Sequence, residues 1–137
     1  AGTYAGGPAI MAGTRANLEA LAELGPGAYR DLMALGDRLA EGLHEVAVDA
    51  GHAVLAQPFA GFLYTNFLRE EIGEIREWRD VNRHVDRETA AAFAREMIGE
   101  GSFLSPSYSR VALTFAHTRE HVDRTIEHAK AAIERVD

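Results

Sequence analysis

Two places in the chain carry residue types and spacings suited to chemistry. The first is Gly2-Thr3-Tyr4-Ala5-Gly6-Gly7-Pro8, directly ahead of an alanine-rich segment with helical spacing. Glycines let a backbone approach a ligand closely, and the unpaired N–H groups at a helix start attract anions. The Thr3 hydroxyl adds a donor beside them. The pattern suits a loop that contacts a phosphate, although a plain glycine-rich lead into a helix has the same composition. The second place is Arg110, between Pro106-Ser107-Tyr108-Ser109 and an apolar run. A guanidinium there could clamp a substrate carboxylate with two parallel hydrogen bonds. An arginine capping a strand at the surface is the bland alternative.

Other reactive residue types carry weaker signals. His117 and His121 are four apart and His128 follows, but no HExxH spacing and no cysteine accompany them. Solvated or structurally bonded imidazoles are therefore expected, and no metal site. The run Arg69-Glu70-Glu71 with Glu74, Arg76, Glu77 and Arg79 has no apolar setting to raise a carboxyl pKa. It reads as a solvated face rather than an acid–base pair, with Trp78 as its local anchor. Lys130 falls beside Ala129 on the polar side of a helix, whereas a Schiff-base lysine needs an enclosed pocket.

Composition narrows the field further. The 137 residues carry 14 Lys plus Arg against 21 Asp plus Glu, a net charge of -7, and there is no Cys. Disulfides, zinc–thiolate sites and cysteine nucleophiles are excluded. The acidic balance argues against a broad nucleic-acid or anionic-membrane surface. No apolar run approaches the ~18 residues of a membrane span, and a cytoplasmic location is expected. Thirteen of the basic residues are Arg, and Lys130 is the single Lys. Lysine chemistry must use it or come from elsewhere. The chain starts at Ala1 in a specific-looking motif with no initiator Met or signal peptide, so it is expected to begin inside a longer protein.

The elements that must position these residues follow from periodicity. Pro8 suits a first helical position, and a helix runs to Leu24, where Gly25-Pro26-Gly27 breaks it. A second helix over residues 28–50 carries the stripe Leu32, Leu35, Leu39, Leu43, Val46 and Ala50, and Gly51 stops it. Strands are expected at 53–56 and 62–68, joined through residues 57–61. Residues 69–83 read as an irregular excursion with at most a short helical turn. Asp86 caps a helix over 87–100 that buries Ala90, Phe93, Ala94, Met97 and Ile98. A short strand at 102–104 precedes a period-two run, Val111, Leu113 and Phe115 alternating with Ala112, Thr114 and Ala116. Thr118 caps a last helix whose stripe is Val122, Ile126, Ala129, Ile133 and Val136. The order α-α-β-β-α-β-β-α describes an α+β layer, a short antiparallel sheet covered by helices.

Taken together, the motifs resemble class III pyridoxal-phosphate aminotransferases. The resemblance rests on Gly2-Thr3-Tyr4-Ala5-Gly6-Gly7-Pro8, Arg38-Leu39-Ala40-Glu41-Gly42, Gly101-Ser102-Phe103-Leu104-Ser105-Pro106-Ser107, and Ala116-His117-Thr118-Arg119-Glu120-His121-Val122-Asp123-Arg124-Thr125. These stand in the family's order over nearly the whole chain, on the branch of glutamate-1-semialdehyde 2,1-aminomutase. The resemblance implies the C-terminal part of a fold-type I homodimer. Residues 1–27 would belong with a large domain, and residues 28–137 would form the small α+β domain. It implies pyridoxal 5'-phosphate as cofactor, with Gly2 and Thr3 at the phosphate bound in the neighbouring subunit. It also implies amino-group transfer through an external aldimine on a small amino-acid or amino-ketone substrate. The Schiff-base lysine would lie upstream of Gly2, leaving this chain with no catalytic residue and no activity alone.

Two positions depart from the family's pattern. Gly7 replaces an Asn. The stretch from Pro106 to Leu113 is one residue shorter and lacks an acidic residue, with Arg110 in that neighbourhood as the candidate substrate contact. That exchange favours a related transaminase with a different amino donor. A stand-alone module for small-molecule binding or dimerisation is the alternative from a different class.

Overall fold

The computed structural model describes residues 2, 6–59, 61–104 and 110–136. The chain divides into two compact units, Ala1–Asp31 and Leu32–Asp137. Helix α1 (Pro8–Asp49) is interrupted at Gly25, whose φ of 68° and ψ of 178° are non-helical. The interruption is thus one residue long: Pro26 and Gly27 already belong to the continuing helix. Proline suits a first helical turn because its φ is preset and its missing N–H would be unpaired there. Within the first unit Ile10, Met11, Leu18 and Leu24 are all exposed.

The second unit is a three-stranded antiparallel sheet with helices. The strands are β1 (Val54–Phe59), β2 (Phe62–Phe67) and β3 (Arg110–Ala112), in the order β1-β2-β3. The helices are α2 (Trp78–His84), α3 (Arg87–Gly99) and α4 (Arg119–Ile133). One apolar cluster joins Leu39, Leu43 and Val46 of α1, Leu63 and Phe67 of β2, Phe93 and Met97 of α3, and Val122 and Ile133 of α4. Burial of each large side chain contributes roughly 1.5–3 kcal/mol. The Phe67 and Phe93 rings meet at 5.2 Å between centroids, locking α3 onto the sheet.

The two helix ends expected at glycine are built alike. Gly51 N–H bonds the Val48 carbonyl and His52 N–H bonds that of Ala47. Gly101 N–H bonds Ile98 and Ser102 N–H bonds Met97 in the same pattern. Gly51 and Gly101 have φ of 87° and 93°, the left-handed conformation this paired stop requires. The caps also hold. The Asp86 carboxylate accepts from the Glu88 and Thr89 amides, and the Thr118 hydroxyl accepts from the His121 amide.

Several elements differ from the periodicity reading. Ser102–Leu104 is not a strand, because the Ser102 amide is spent closing α3. The alternating run gives only β3. Leu113 N–H still reaches the Gly61 carbonyl, but the Thr114 amide turns to His117 Nδ1 at 3.0 Å and ends the ladder. Conversely, β1 is longer than expected and includes Pro58. As an edge strand it tolerates a residue without an N–H. The charged excursion ends in α2, a full helix rather than a turn, opened by Asp80 accepting from the Arg76 and Glu77 amides. Trp78 is no buried anchor: it is 67% exposed, with the Arg87 guanidinium 5.3 Å from its ring. Ala50 and Ile98 are exposed, while Gly36, Ala40, Gly42 and Ala47 are buried instead.

Candidate functional site

Of the glycine–threonine loop, Thr3 lies outside the described residues. Gly2 is exposed, and a Cβ placed on Gly2 or Gly6 would meet nothing within 4 Å. Gly6 has φ 87°, which favours glycine. The Gly7 carbonyl accepts the Met11 amide, so α1 starts at Pro8. The Ala9 and Ile10 amides fall in the first turn, where no intrahelical acceptor exists.

Arg110 opens β3 at the outer end of a row across the sheet. It pairs with Tyr64 of β2, which pairs with Gln57 of β1. The neighbouring row is Phe59, Phe62 and Ala112. Directly opposed residues share a face, so Arg110 shares its face with Tyr64 and Phe62. All three are exposed. The opposite face carries Leu63 and Phe67 into the core. Among the described residues, Arg110 makes no ion pair, and its guanidinium is available to an incoming acceptor. Residues 105–109 before it lie outside the described residues. Sequence reasoning singled out Arg110 but not Tyr64 or Phe62. Their signal was the alternation along Phe62–Leu68, which assigns every second side chain to the uncovered face.

Lys130 is exposed and bonds Glu127 at 2.8 Å. That bond raises its pKa above the usual lysine value, so the ammonium form persists. The histidines make mainly local bonds. His84 Nδ1 meets Glu70 at 3.0 Å, His117 and His121 accept backbone amides, and His128 meets Ser102 Oγ at 2.8 Å. Among the described residues no group of three or more His, Asp or Glu is placed to hold a metal ion. The acidic run is engaged locally too: Arg76 pairs with Glu74 and depresses its carboxyl pKa. No helix among the described residues is long and apolar enough to cross a membrane.

This arrangement of sheet and helices recurs in solved structures. An omega-transaminase from Sphaerobacter thermophilus matches 84% of this chain and 26% of its own, with a TM-score of 0.68 and 18% identity. A structure described as a transaminase with PLP bound matches 84% of this chain and 25% of its own, with a TM-score of 0.65 and 10% identity. The fold is that of the C-terminal small domain of fold-type I pyridoxal-phosphate transaminases. No family model matches the chain. Its sequence relatives are more specific. It is 37% identical over 134 residues to the glutamate-1-semialdehyde 2,1-aminomutase of Desulfosudis oleivorans, covering 96% of this chain and 30% of that protein. It is 39% identical over 130 residues to that of Thermus thermophilus, covering 93% and 29%. The chain is homologous over nearly its whole length to one part of glutamate-1-semialdehyde 2,1-aminomutases. It spans about 30% of the length of the relatives it matches.

Proposed function

We propose that this chain is the C-terminal portion of a pyridoxal-phosphate-dependent aminotransferase or aminomutase of the glutamate-1-semialdehyde aminomutase type. The observation that carries the reading is the similarity, 37% identity over 96% of the chain, to an aminomutase of which it spans 30%. In this reading residues 1–27 associate with a large domain and residues 28–137 are the small domain. The whole protein is a homodimer in which Gly2 and Thr3 reach the cofactor phosphate bound to the neighbouring subunit.

The residues at hand fit one edge of that cofactor. The open space at Gly2 and Gly6 leaves backbone amides accessible to an oxyanion. They do not fit its covalent attachment. Schiff-base chemistry needs a neutral amine, and an enclosed pocket is the usual means of obtaining one. Lys130 is instead exposed, ion-paired and held protonated by Glu127. The attaching lysine therefore comes from outside these 137 residues. Bound pyridoxal phosphate supplies an electron sink for charge developing at the amino-bearing carbon of a substrate.

This chain's own residues bind and orient. The Gly2 amide and Thr3 hydroxyl hold phosphate oxygens. Arg110 takes the carboxylate of a small amino-acid or amino-ketone substrate as a forked donor. Tyr64 and Phe62 flank that contact on the same sheet face. A guanidinium at this position favours amino transfer with a donor other than the aminomutase substrate.

The test is a pair of assays. The isolated chain, given pyridoxal phosphate and a panel of amino donors, is expected to show no turnover. The protein from the complete reading frame is expected to transfer amino groups. Turnover by the isolated chain refutes the placement of the lysine. A folded, cofactor-loaded complete protein that transfers no amino group refutes the enzyme reading.

A further inference from the structure

A cleft in the Leu32–Asp137 unit shares no lining residue with the Arg110 sheet row. Its volume is about 410 Å³, and it is lined by Ser102, His117, His121, Arg124, Thr125 and His128 together with Gly101. Three imidazoles and a guanidinium in one cleft are unexpected in a chain of net charge -7. The hydrogen bonds fix what the imidazoles present. His117 Nδ1 accepts the Thr114 amide at 3.0 Å, and His121 Nδ1 accepts the Thr118 amide at 3.3 Å. A backbone N–H can only donate, so each Nδ1 is an acceptor and each neutral ring carries its proton on Nε2.

This disfavours a metal. A ligating imidazole donates its second N–H to a carbonyl or carboxylate. Here that nitrogen already receives a proton donor, and metal binding at Nε2 would demand the imidazolate. The same bonds favour an anion, because both Nε2–H groups are donors with no partner among the described residues. The two rings stand edge to face, 6.2 Å apart between centroids. Arg124, one turn along α4 from His121, is exposed and makes no ion pair among the described residues. Thr125 donates its hydroxyl to the His121 carbonyl at 2.8 Å, and Ser102 shares its hydrogen bond with His128.

The bordering carboxylates are mostly engaged elsewhere. Glu100 is taken by Arg135, and Asp123 by Arg38 and Arg119. Glu127 is taken by Lys130. Glu120, next to His121 in α4, makes no ion pair among the described residues. We propose that this cleft is an oxyanion site for inorganic phosphate or a phosphate monoester, held by His117 Nε2–H, His121 Nε2–H and the Arg124 guanidinium. It is independent of the amino-transfer reading, since none of its residues belongs to the glycine–threonine loop or the Arg110 row.

The test is NMR of the imidazole resonances of the full chain, titrated with inorganic phosphate, with glycerol 3-phosphate, and with chloride at matched ionic strength. Saturable shifts of His117 and His121 with either phosphate, absent with chloride, support the site. Tighter binding of the ester assigns it to monoesters, and equal binding to the free ion. Arg124→Gln is expected to weaken phosphate binding at least about tenfold. Lys130→Gln, off the cleft, is expected to leave it unchanged. Shifts that do not saturate, or that chloride reproduces, overturn the proposal. So does tight zinc binding by His117 and His121. The wild-type titration decides even if the Arg124 variant misfolds.

Discussion

Gly42 of α1 lies directly beneath Ile126 of α4: a Cβ on Gly42 would stand 2.4 Å from Ile126 Cδ1 and 2.7 Å from Cγ1. Gly42 and Ile126 thus set how closely the two helices approach. Glycine inside a helix costs about 1 kcal/mol relative to alanine, so the close approach must compensate for it.

Gly42→Ala therefore has opposed effects. Helix propensity gains about 1 kcal/mol, while overpacking costs about 1–3 kcal/mol. Ile126 Cγ2 is also near, at 3.2 Å, and a β-branched side chain in a helix has essentially one χ1 well. Rotation cannot clear every contact, so net destabilisation of about 1 kcal/mol is expected in urea denaturation. Ile126→Ala in the Gly42→Ala background is expected to recover part of the loss. Additive losses would refute the steric account.

The hairpin gives a second stability prediction. Gly61 has φ 84°, and a Cβ there would lie 3.1 Å from Leu32 Cγ. Its carbonyl accepts the Leu113 amide, extending the β3 pairing. Left-handed backbone alone costs a non-glycine residue roughly 1–2 kcal/mol. Gly61→Ala is expected to lose at least about that much, measured by thermal or urea unfolding. A neutral result would mean that this turn relaxes without strain.

Asp86 predicts a pH effect. Its carboxyl pKa is lowered first by the Thr89 amide, with further lowering from the Thr89 hydroxyl, the Glu88 amide and the Arg69 charge. A carboxyl whose pKa is depressed by folding stabilises the protein above its unfolded pKa, about 3.9. That contribution is lost as pH falls through the lower folded value. Asp86→Asn keeps a cap but loses the charge. Its stability is expected to fall less steeply than wild type on acidification below about pH 4. Asp86→Ala is expected to cost about 1 kcal/mol at neutral pH. Parallel acid profiles for wild type and Asp86→Asn would contradict this.

The sequence made these features legible to different degrees. Caps and stops were readable because each is a local rule: Asp86 and Thr118 before apolar runs, Gly51 and Gly101 after them. Gly42 was visible only as part of a family-like run, since its reason is Ile126, 84 positions away. The strand expected at 102–104 failed because a helix stop and a strand start compete for the same amide, that of Ser102. Helix α2 was obscured by its charges, although Glu77 and Asp80 carry the capping spacing. Arg110 was legible as a residue type at a strand start. Its place beside Tyr64 required the β2–β3 register, which is set by long-range pairing.

The loop makes a prediction in the complete protein. If Thr3 donates to a phosphate oxygen, Thr3→Ala removes a charge-assisted hydrogen bond. Cofactor affinity should weaken by about 1–3 kcal/mol, read by equilibrium dialysis or recovery of cofactor absorbance. Thr3→Ser keeps the hydroxyl and is expected to retain most of the affinity. Unchanged affinity in Thr3→Ala would remove Thr3 from the site.

Arg110 separates substrate binding from other roles. Its register partner Tyr64 is on the same exposed face, so loss of the guanidinium leaves the sheet's buried face untouched. Arg110→Gln should therefore change stability by less than about 0.5 kcal/mol. In the complete protein, removing a forked carboxylate contact should raise KM about tenfold or more with kcat little changed, the pattern of lost uniform binding. Arg110→Lys keeps the charge but not the fork, and partial recovery is expected. A drop in stability with an unaltered KM would make Arg110 a structural end to β3 and leave the carboxylate to another residue.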